Sequence, residues 1–214
     1  MEYKYLAIEG SIGVGKTTLA KMLAEKMNAQ LILEDPNNPF LVEFYENHSK
    51  ASFKAQIFFL LNRYAQLTNI KQSSLFHNII ISDFIIEKDK IFAYLNLDDH
   101  ELNLYNKLFD LLNKDMPKPD IVIYLQAKVD VLLQRLRKRK SELDKHISTD
   151  YLKEVVAAFD YFFFHYKATP LLVINTNKLD FVYNDSHFEE IQRAIKVMKA
   201  GTYYYTPWLD HTIK

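Results

Sequence analysis

The chain has 214 residues, of which 49% are hydrophobic and 25% charged, a balance that suits one well-buried α/β domain and excludes an intrinsically disordered chain. Its 27 basic and 27 acidic residues cancel, so it has no overall basic field of the kind that gathers nucleic acid or anionic membrane, and phosphate chemistry must come from local groups. Cysteine is absent, no two histidines stand at H-x-x-x-H spacing and there is no 18-residue apolar run, which excludes disulfides and zinc-thiolate sites and leads us to expect a soluble, cytoplasmic protein.

Tyr3 to Ile8 is a predicted strand, and Thr18 to Asn28 a predicted helix with Leu19, Met22, Leu23 and Met27 at helical spacing. Between them lies Gly10-Ser11-Ile12-Gly13-Val14-Gly15-Lys16-Thr17-Thr18, which satisfies G-x-x-x-x-G-K-[ST] in the strand-to-helix context the motif requires. Backbone N–H groups of such a loop surround a phosphate, the helix dipole adds to the attraction, the lysine reaches the β/γ oxygens and the hydroxyl of Thr17 serves Mg²⁺. Three of the chain's four glycines sit here, where side chains would forbid the conformation. ATP or a related triphosphate is the expected ligand.

Leu31 to Leu33 is a second strand, ending in the turn-rich Glu34-Asp35-Pro36-Asn37-Asn38-Pro39. Glu34 is either an acid facing a ligand at the C-terminal edge of a parallel sheet or a solvated loop acid. Leu41 to Glu46 reads as a short helix and Ser52 to Ile70 as a longer one. On the longer helix Gln56 and Arg63, two turns apart, interrupt an apolar stripe; such polar groups are either exposed or paired and functional.

Phe76 to Ser82 contains the run Ile79 to Ile81, suited to a strand covered on both faces, and Asp83 closes it where a phosphate-loop protein places the acid that holds Mg²⁺ directly or through water. After the segment Phe84 to Leu97 and a helix over Asp98 to Lys114, Asp120 to Leu125 is a strand. Val129 to Arg139 is a helix with a basic end that includes Lys140; Arg135 and Arg139 share a face, as a solvated cap or as guanidinium charge for phosphoryl transfer on a mobile segment that continues through Ser148. Thr149 to Tyr166 is a helix, Leu171 to Ile174 the last strand, followed by Asn175 to Phe181 as a resting place for adenine, and Phe188 to Met198 the final helix. The tail Thr202 to Lys214, with Trp208, suggests packing or partner contact only. Five apolar strands separated by helices predict a parallel sheet with helices on both faces.

Taken in order, these pieces resemble the deoxynucleoside kinase family, in its bacterial deoxyadenosine/deoxyguanosine kinase branch, over about the first 180 residues. The loop Gly10 to Thr17 is one piece, and Glu34 before Pro36 resembles the family's general base for the sugar 5′-hydroxyl. Tyr45, eleven residues before Gln56, and Arg63, seven after it, are similar to the sugar-binding tyrosine, base-reading glutamine and base-side arginine. Asp83 matches the acid of a D/E-R-S motif, Asp89 and Phe92 resemble the nucleobase-pocket acid and stacking ring, Arg135 and Arg139 the lid arginines, and Asp144 the lid acid that touches the 3′-hydroxyl. Where the motif has arginine and serine this chain has Phe84 and Ile85, and Ser141 stands in place of a further lid arginine.

The resemblance implies a P-loop kinase fold with strand order 2-3-1-4-5 as one domain over residues 1–214, a small lid over about 135–148, ATP and Mg²⁺, a homodimer, and transfer of a phosphoryl group to a purine deoxynucleoside, deoxyadenosine ahead. Two rival readings are a nucleoside monophosphate kinase and a non-catalytic nucleotide-binding subunit. The first needs arginines for the acceptor phosphate and finds only Arg63 outside the lid and last helix; the second is opposed by the retained Lys16, Thr17, Glu34 and Asp83.

Overall fold

The computed structural model describes residues 3–46, 48–70, 79–139 and 141–207. Strands β1 (Tyr5–Gly10), β2 (Gln30–Ile32), β3 (Ile80–Ser82), β4 (Ile121–Gln126), β5 (Leu171–Asn175) and β6 (Thr202–Tyr205) form one parallel sheet in the order β2-β3-β1-β4-β5-β6. The first five strands take the expected order, and β6 extends it by one. That strand carries no Val, Leu or Ile run: it is Thr202-Tyr203-Tyr204-Tyr205, enters from Gly201 at φ 74°, and buries only Tyr205, as an edge position allows. Phe76 at the expected start of β3, the basic Lys140 and Trp208 of the tail lie outside the described residues.

Helices α1 (Lys16–Met27), α2 (Leu41–Glu46), α3 (His48–Thr68), α4 (Lys88–Asn96), α5 (Asp99–Asn113), α6 (Val129–Arg139), α7 (Thr149–Phe164) and α8 (Asp185–Val197) connect the strands, with a 3₁₀ turn at Leu143–His146. Alternate strand residues face opposite layers. Tyr5, Ala7, Val122, Tyr124, Leu171 and Val173 pack with α3, α4, α5 and α7, whereas Leu6, Ile8, Ile123, Leu125, Leu172 and Ile174 pack with α1, α6 and α8. Both faces of the central strands are therefore covered, which is why they read as unbroken apolar runs. The register pairs Ile8 with Ile123 and Ile123 with Leu172, bringing the C-terminal ends of the strands to one edge. Among the described residues no helix is long and apolar enough to cross a membrane.

Candidate active site

The phosphate loop closes β1 and opens α1 at that edge. Gly10 is held so close to β4 that a Cβ would lie 2.4 Å from the Leu125 carbonyl oxygen, and Gly15, at φ 107°, turns the chain into the helix with the Phe181 ring 3.0 Å from where a Cβ would be. Val14 is buried beneath the loop, and Lys16 Nζ donates to the carbonyls of Gly10 at 2.8 Å and Ser11 at 3.1 Å. Burial, helped by the charge of Lys88, lowers the Lys16 ammonium to about 8.

Asp83, at the end of β3, joins this loop to the strand-two acid. Its Oδ2 accepts from the Thr17 hydroxyl and its Oδ1 accepts the Glu34 backbone N–H at 2.7 Å. A hydroxyl and a carboxylate in contact are the hard oxygen donors that suit Mg²⁺, which keeps several waters and takes the rest of its ligands from phosphates. Among the described residues no group of three or more His, Cys, Asp or Glu could hold a metal.

The Glu34 carboxylate is bound at both oxygens. Arg63 Nη2 donates to Oε1, and Lys88 Nζ donates to Oε2 at 2.6 Å. Burial alone would raise the Glu34 carboxyl, but the Arg63 guanidinium and then the Lys88 ammonium outweigh it and hold the group well below the usual carboxylate range. Arg63 also pairs with Asp89, so both terminal nitrogens of this buried guanidinium are engaged by acids. Asp89 is itself fully buried, and burial raises it to about 7 against the opposing pull of Arg63. Gln56 and Arg63 are thus buried rather than exposed, two turns apart on α3.

These groups border a cavity of about 670 Å³, whose walls include Lys16, Thr17, Glu34, Tyr45, Gln56, Arg63, Asp83, Lys88 and Phe92. Tyr45 meets Tyr151 edge-on at 6.1 Å, and Phe92 meets Phe159 at 5.6 Å, so both rings are braced by α7. Gln56 Oε1 and Arg63 Nε, on residues of this wall, are buried without a hydrogen-bond partner, as is Asp89 Oδ2. Asp89 differs from the other expected pocket residues: it stands behind Arg63 rather than on the wall. Arg139 and Asp144 pair with each other across the mouth, with Arg139 Nε donating at 2.7 Å.

A second cavity of about 460 Å³ lies on the other side of the loop, between Val14 to Thr18, Arg135, Arg139 and the Leu179 to Tyr183 segment. Arg135 has different partners from Arg139. Its Nη1 donates to the Val14 carbonyl at 3.0 Å and its Nη2 to the Thr176 carbonyl at 2.7 Å, so it ties the loop to the end of β5.

Two functional candidates escape the sequence reading. Lys88 is four residues before Phe92 and three before Ile91, on the buried side of α4, and this helical spacing was the available signal. Glu9 is a fully buried acid inside an apolar strand; it accepts the Ile85 N–H at 2.8 Å and the Gly10 N–H at 3.1 Å, tying β1 to the turn after β3.

The family model for deoxynucleoside kinases matches residues 6–198. Deoxyguanosine kinase of Bacillus subtilis (strain 168) is 38% identical over 198 residues, which cover 90% of this chain and 96% of that protein. Deoxyadenosine kinase of Lactobacillus acidophilus is 30% identical over 206 residues, covering 89% and 94%. Among solved structures, deoxyadenosine kinase from M. mycoides with products dCMP and a flexible dCDP bound superposes with a TM-score of 0.76 at 25% identity, covering 91% of this chain and all of that one (100%).

Proposed function

Since the chain belongs to the deoxynucleoside kinase family and phosphorylates deoxynucleosides from a nucleotide donor, we propose that it is an ATP:deoxynucleoside 5′-phosphotransferase acting as one kinase domain. The observation that carries this reading is Glu34: a carboxylate kept ionised by two cations, on the wall of the larger cavity and tied through Asp83 to the phosphate loop. A base is needed when the acceptor is a hydroxyl and is superfluous when it is already a phosphate. Arg63, on which a monophosphate-kinase reading depends, has both terminal nitrogens on carboxylates.

In the proposed reaction the deoxynucleoside occupies the larger cavity, its sugar against Tyr45 and Asp144 and its base between Phe92 and the polar edge of Gln56 and Arg63, with Asp89 holding Arg63 from behind. The 5′-hydroxyl gives its proton to Glu34 as its oxygen bonds to the γ-phosphorus, and the bond from that phosphorus to the leaving diphosphate breaks in line. Residues Gly10, Ser11, Ile12, Gly13, Val14, Gly15 and Thr18 supply the loop around the donor phosphates, and Lys16 and Arg139 neutralise charge on the transferred group. Arg135 holds the loop, and the donor base rests in the smaller cavity against Phe181. Thr17 and Asp83 would hold Mg²⁺, which supplies charge neutralisation at the phosphate oxygens.

Purine deoxynucleosides are the proposed acceptors, in keeping with the names of the relatives, which divide between deoxyguanosine and deoxyadenosine kinase; deoxyadenosine is put ahead. The proposed assembly is a cytoplasmic homodimer; exposed Leu104 and Leu111 on α5 and Tyr161 and Phe164 on α7 support a covered face on that layer. ATP consumption across a panel of nucleosides and nucleoside monophosphates tests the reaction. Phosphorylation confined to monophosphates would replace it with the rival kinase, and a monomer in sedimentation would remove the dimer.

A further inference from the structure

Lys88 stands in the first turn of α4 with its side chain 5% exposed and its Nζ 2.6 Å from Glu34 Oε2. An ammonium is strongly hydrated, and burying one is unfavourable unless a particular charge compensates it. Here that charge is Glu34, and the pair lies on the wall of the larger cavity. Arg63 donates to the other carboxylate oxygen, so among the described residues the two cations hold the carboxylate plane between them, with Lys88 on Oε2. Residue 84, where the D/E-R-S pattern has a cation, is Phe84, fully buried in the apolar cluster with Ile85 and Ile86, so no charge reaches Glu34 from that position. The turn that carries Lys88 is fastened to the phosphate-loop strand, because Ile85 donates its N–H to Glu9 and Lys88 its own N–H to the Ile85 carbonyl.

Resting on the phosphotransferase reading, we propose that Lys88 is a positioning residue for the transfer: its ammonium on Oε2 and the Arg63 guanidinium on Oε1 fix the Glu34 carboxylate toward the 5′-hydroxyl. Each carboxylate oxygen has a second lone pair, so a hydrogen bond from a cation leaves one free to take the hydroxyl proton. Lys88 keeps its own protons throughout; the proton passes from O5′ to Glu34 and the phosphoryl group from the diphosphate to O5′. A charge on α4 thereby replaces one missing from the turn before it.

The test is a set of variants assayed for kcat and for deoxynucleoside KM. Lys88→Met removes the charge at similar length, Lys88→Gln keeps a neutral donor, and Lys88→Arg keeps a cation. Lys88→Met is expected to lower kcat by about 10- to 100-fold with KM moved by less than about threefold, Lys88→Gln to fall between, and Lys88→Arg to recover most of the loss. In a Glu34→Gln background, Lys88→Met is expected to add less than about threefold, because a residue that acts through Glu34 has nothing left to position. Wild-type kcat in folded Lys88→Met, or an equal loss with and without Glu34, overturns the proposal. Should Lys88→Met fail to fold, Lys88→Gln and its double variant decide in the same way. No transfer by the wild type to any deoxynucleoside would instead refute the phosphotransferase reading itself.

Discussion

Asp83 Oδ1 accepts the backbone N–H of Glu34 at 2.7 Å, so the acid closing β3 fixes the start of the loop that carries the acid after β2. Its other oxygen faces Thr17, which makes Asp83 the joint between the phosphate loop and the acceptor side. Asp83→Asn keeps an oxygen for the Glu34 N–H but loses the charge for a metal. The free Mg²⁺ needed for half-maximal activity should rise by about 10- to 100-fold, read from initial rates against Mg²⁺ concentration. An unchanged Mg²⁺ dependence would remove Asp83 from the metal role.

Lys16 gives a prediction with a definite sign. Burial lowers it to about 8, so a growing share of the nucleotide-free enzyme carries it neutral as pH rises through that value. Phosphate oxygens favour the charged form, so nucleotide binding should take up a proton between about pH 8 and the ordinary lysine range near 10.4, and affinity should fall as pH rises there. Calorimetry in buffers of different ionisation enthalpy reads the proton directly; binding with no uptake at pH 9 would contradict the shift. Lys16→Ala should abolish transfer yet leave the circular dichroism spectrum unchanged, because the side chain contributes charge at the cavity wall rather than core packing.

Much of this arrangement is legible in the sequence because it depends on short-range rules. The phosphate loop announces itself through glycine, lysine and hydroxyl at fixed offsets, and β4 and β5 through unbroken apolar runs that only a doubly covered strand tolerates. Gln56 and Arg63 are legible as polar interruptions, but helical spacing alone does not say whether such a stripe is buried. That depends on α4 and α5 covering α3 from elsewhere in the chain. Lys88 is hidden for a related reason: a lysine at a helix start reads as solvent-facing until Glu34, 54 residues earlier, supplies the partner. Edge strand β6 is hidden because its tyrosines are mostly exposed and lack the alternation of a packed strand.

A substitution remote from the site separates stability from catalysis. Asp98 caps α5, accepting the N–H groups of His100 and Glu101 while Glu101 reaches back to the Asp98 N–H. Asp98→Ala should cost about 1 kcal/mol and lower Tm by roughly 2–4 °C in a chain of this size, with kcat unchanged. A fall in kcat at a temperature where the variant is folded would show that α5 bears on the site.

For the base, the unpartnered Gln56 Oε1 on the cavity wall calls for a donor on the ligand edge, and the exocyclic amine of adenine offers one. Guanine and cytosine carry amines as well, so the ranking is read from the panel: deoxyadenosine is expected to give the highest kcat/KM, and Gln56→Leu should raise its KM by about tenfold or more while changing kcat less. Thymidine outranking every purine would show that the pocket is read wrongly.

Replacing Glu34 separates the proposed reaction from its rivals. As the base for a 5′-hydroxyl, its replacement by glutamine removes proton acceptance, and kcat should fall by about 10²–10⁴-fold. The surroundings sharpen this, because Oε1 and Oε2 each face a cationic donor. A carboxamide presents an NH₂ to either Arg63 or Lys88, so one of the two contacts must break whichever way the amide is turned. That cost falls on the free enzyme as well as the complex, so folding has to be checked first, by Tm and nucleotide affinity. With folding intact, deoxynucleoside KM should move much less than kcat, since a loss confined to the transition state lowers kcat and kcat/KM together. A loose, dissociative transition state moderates the effect, because the nucleophile is then only weakly engaged. A raised KM with kcat retained would make Glu34 a binding residue, and the base role would move to Asp35 or be dropped. Asp35 already accepts the Asn37 N–H at 2.9 Å in the turn and does not border the larger cavity, so that outcome would favour an acceptor that needs no base.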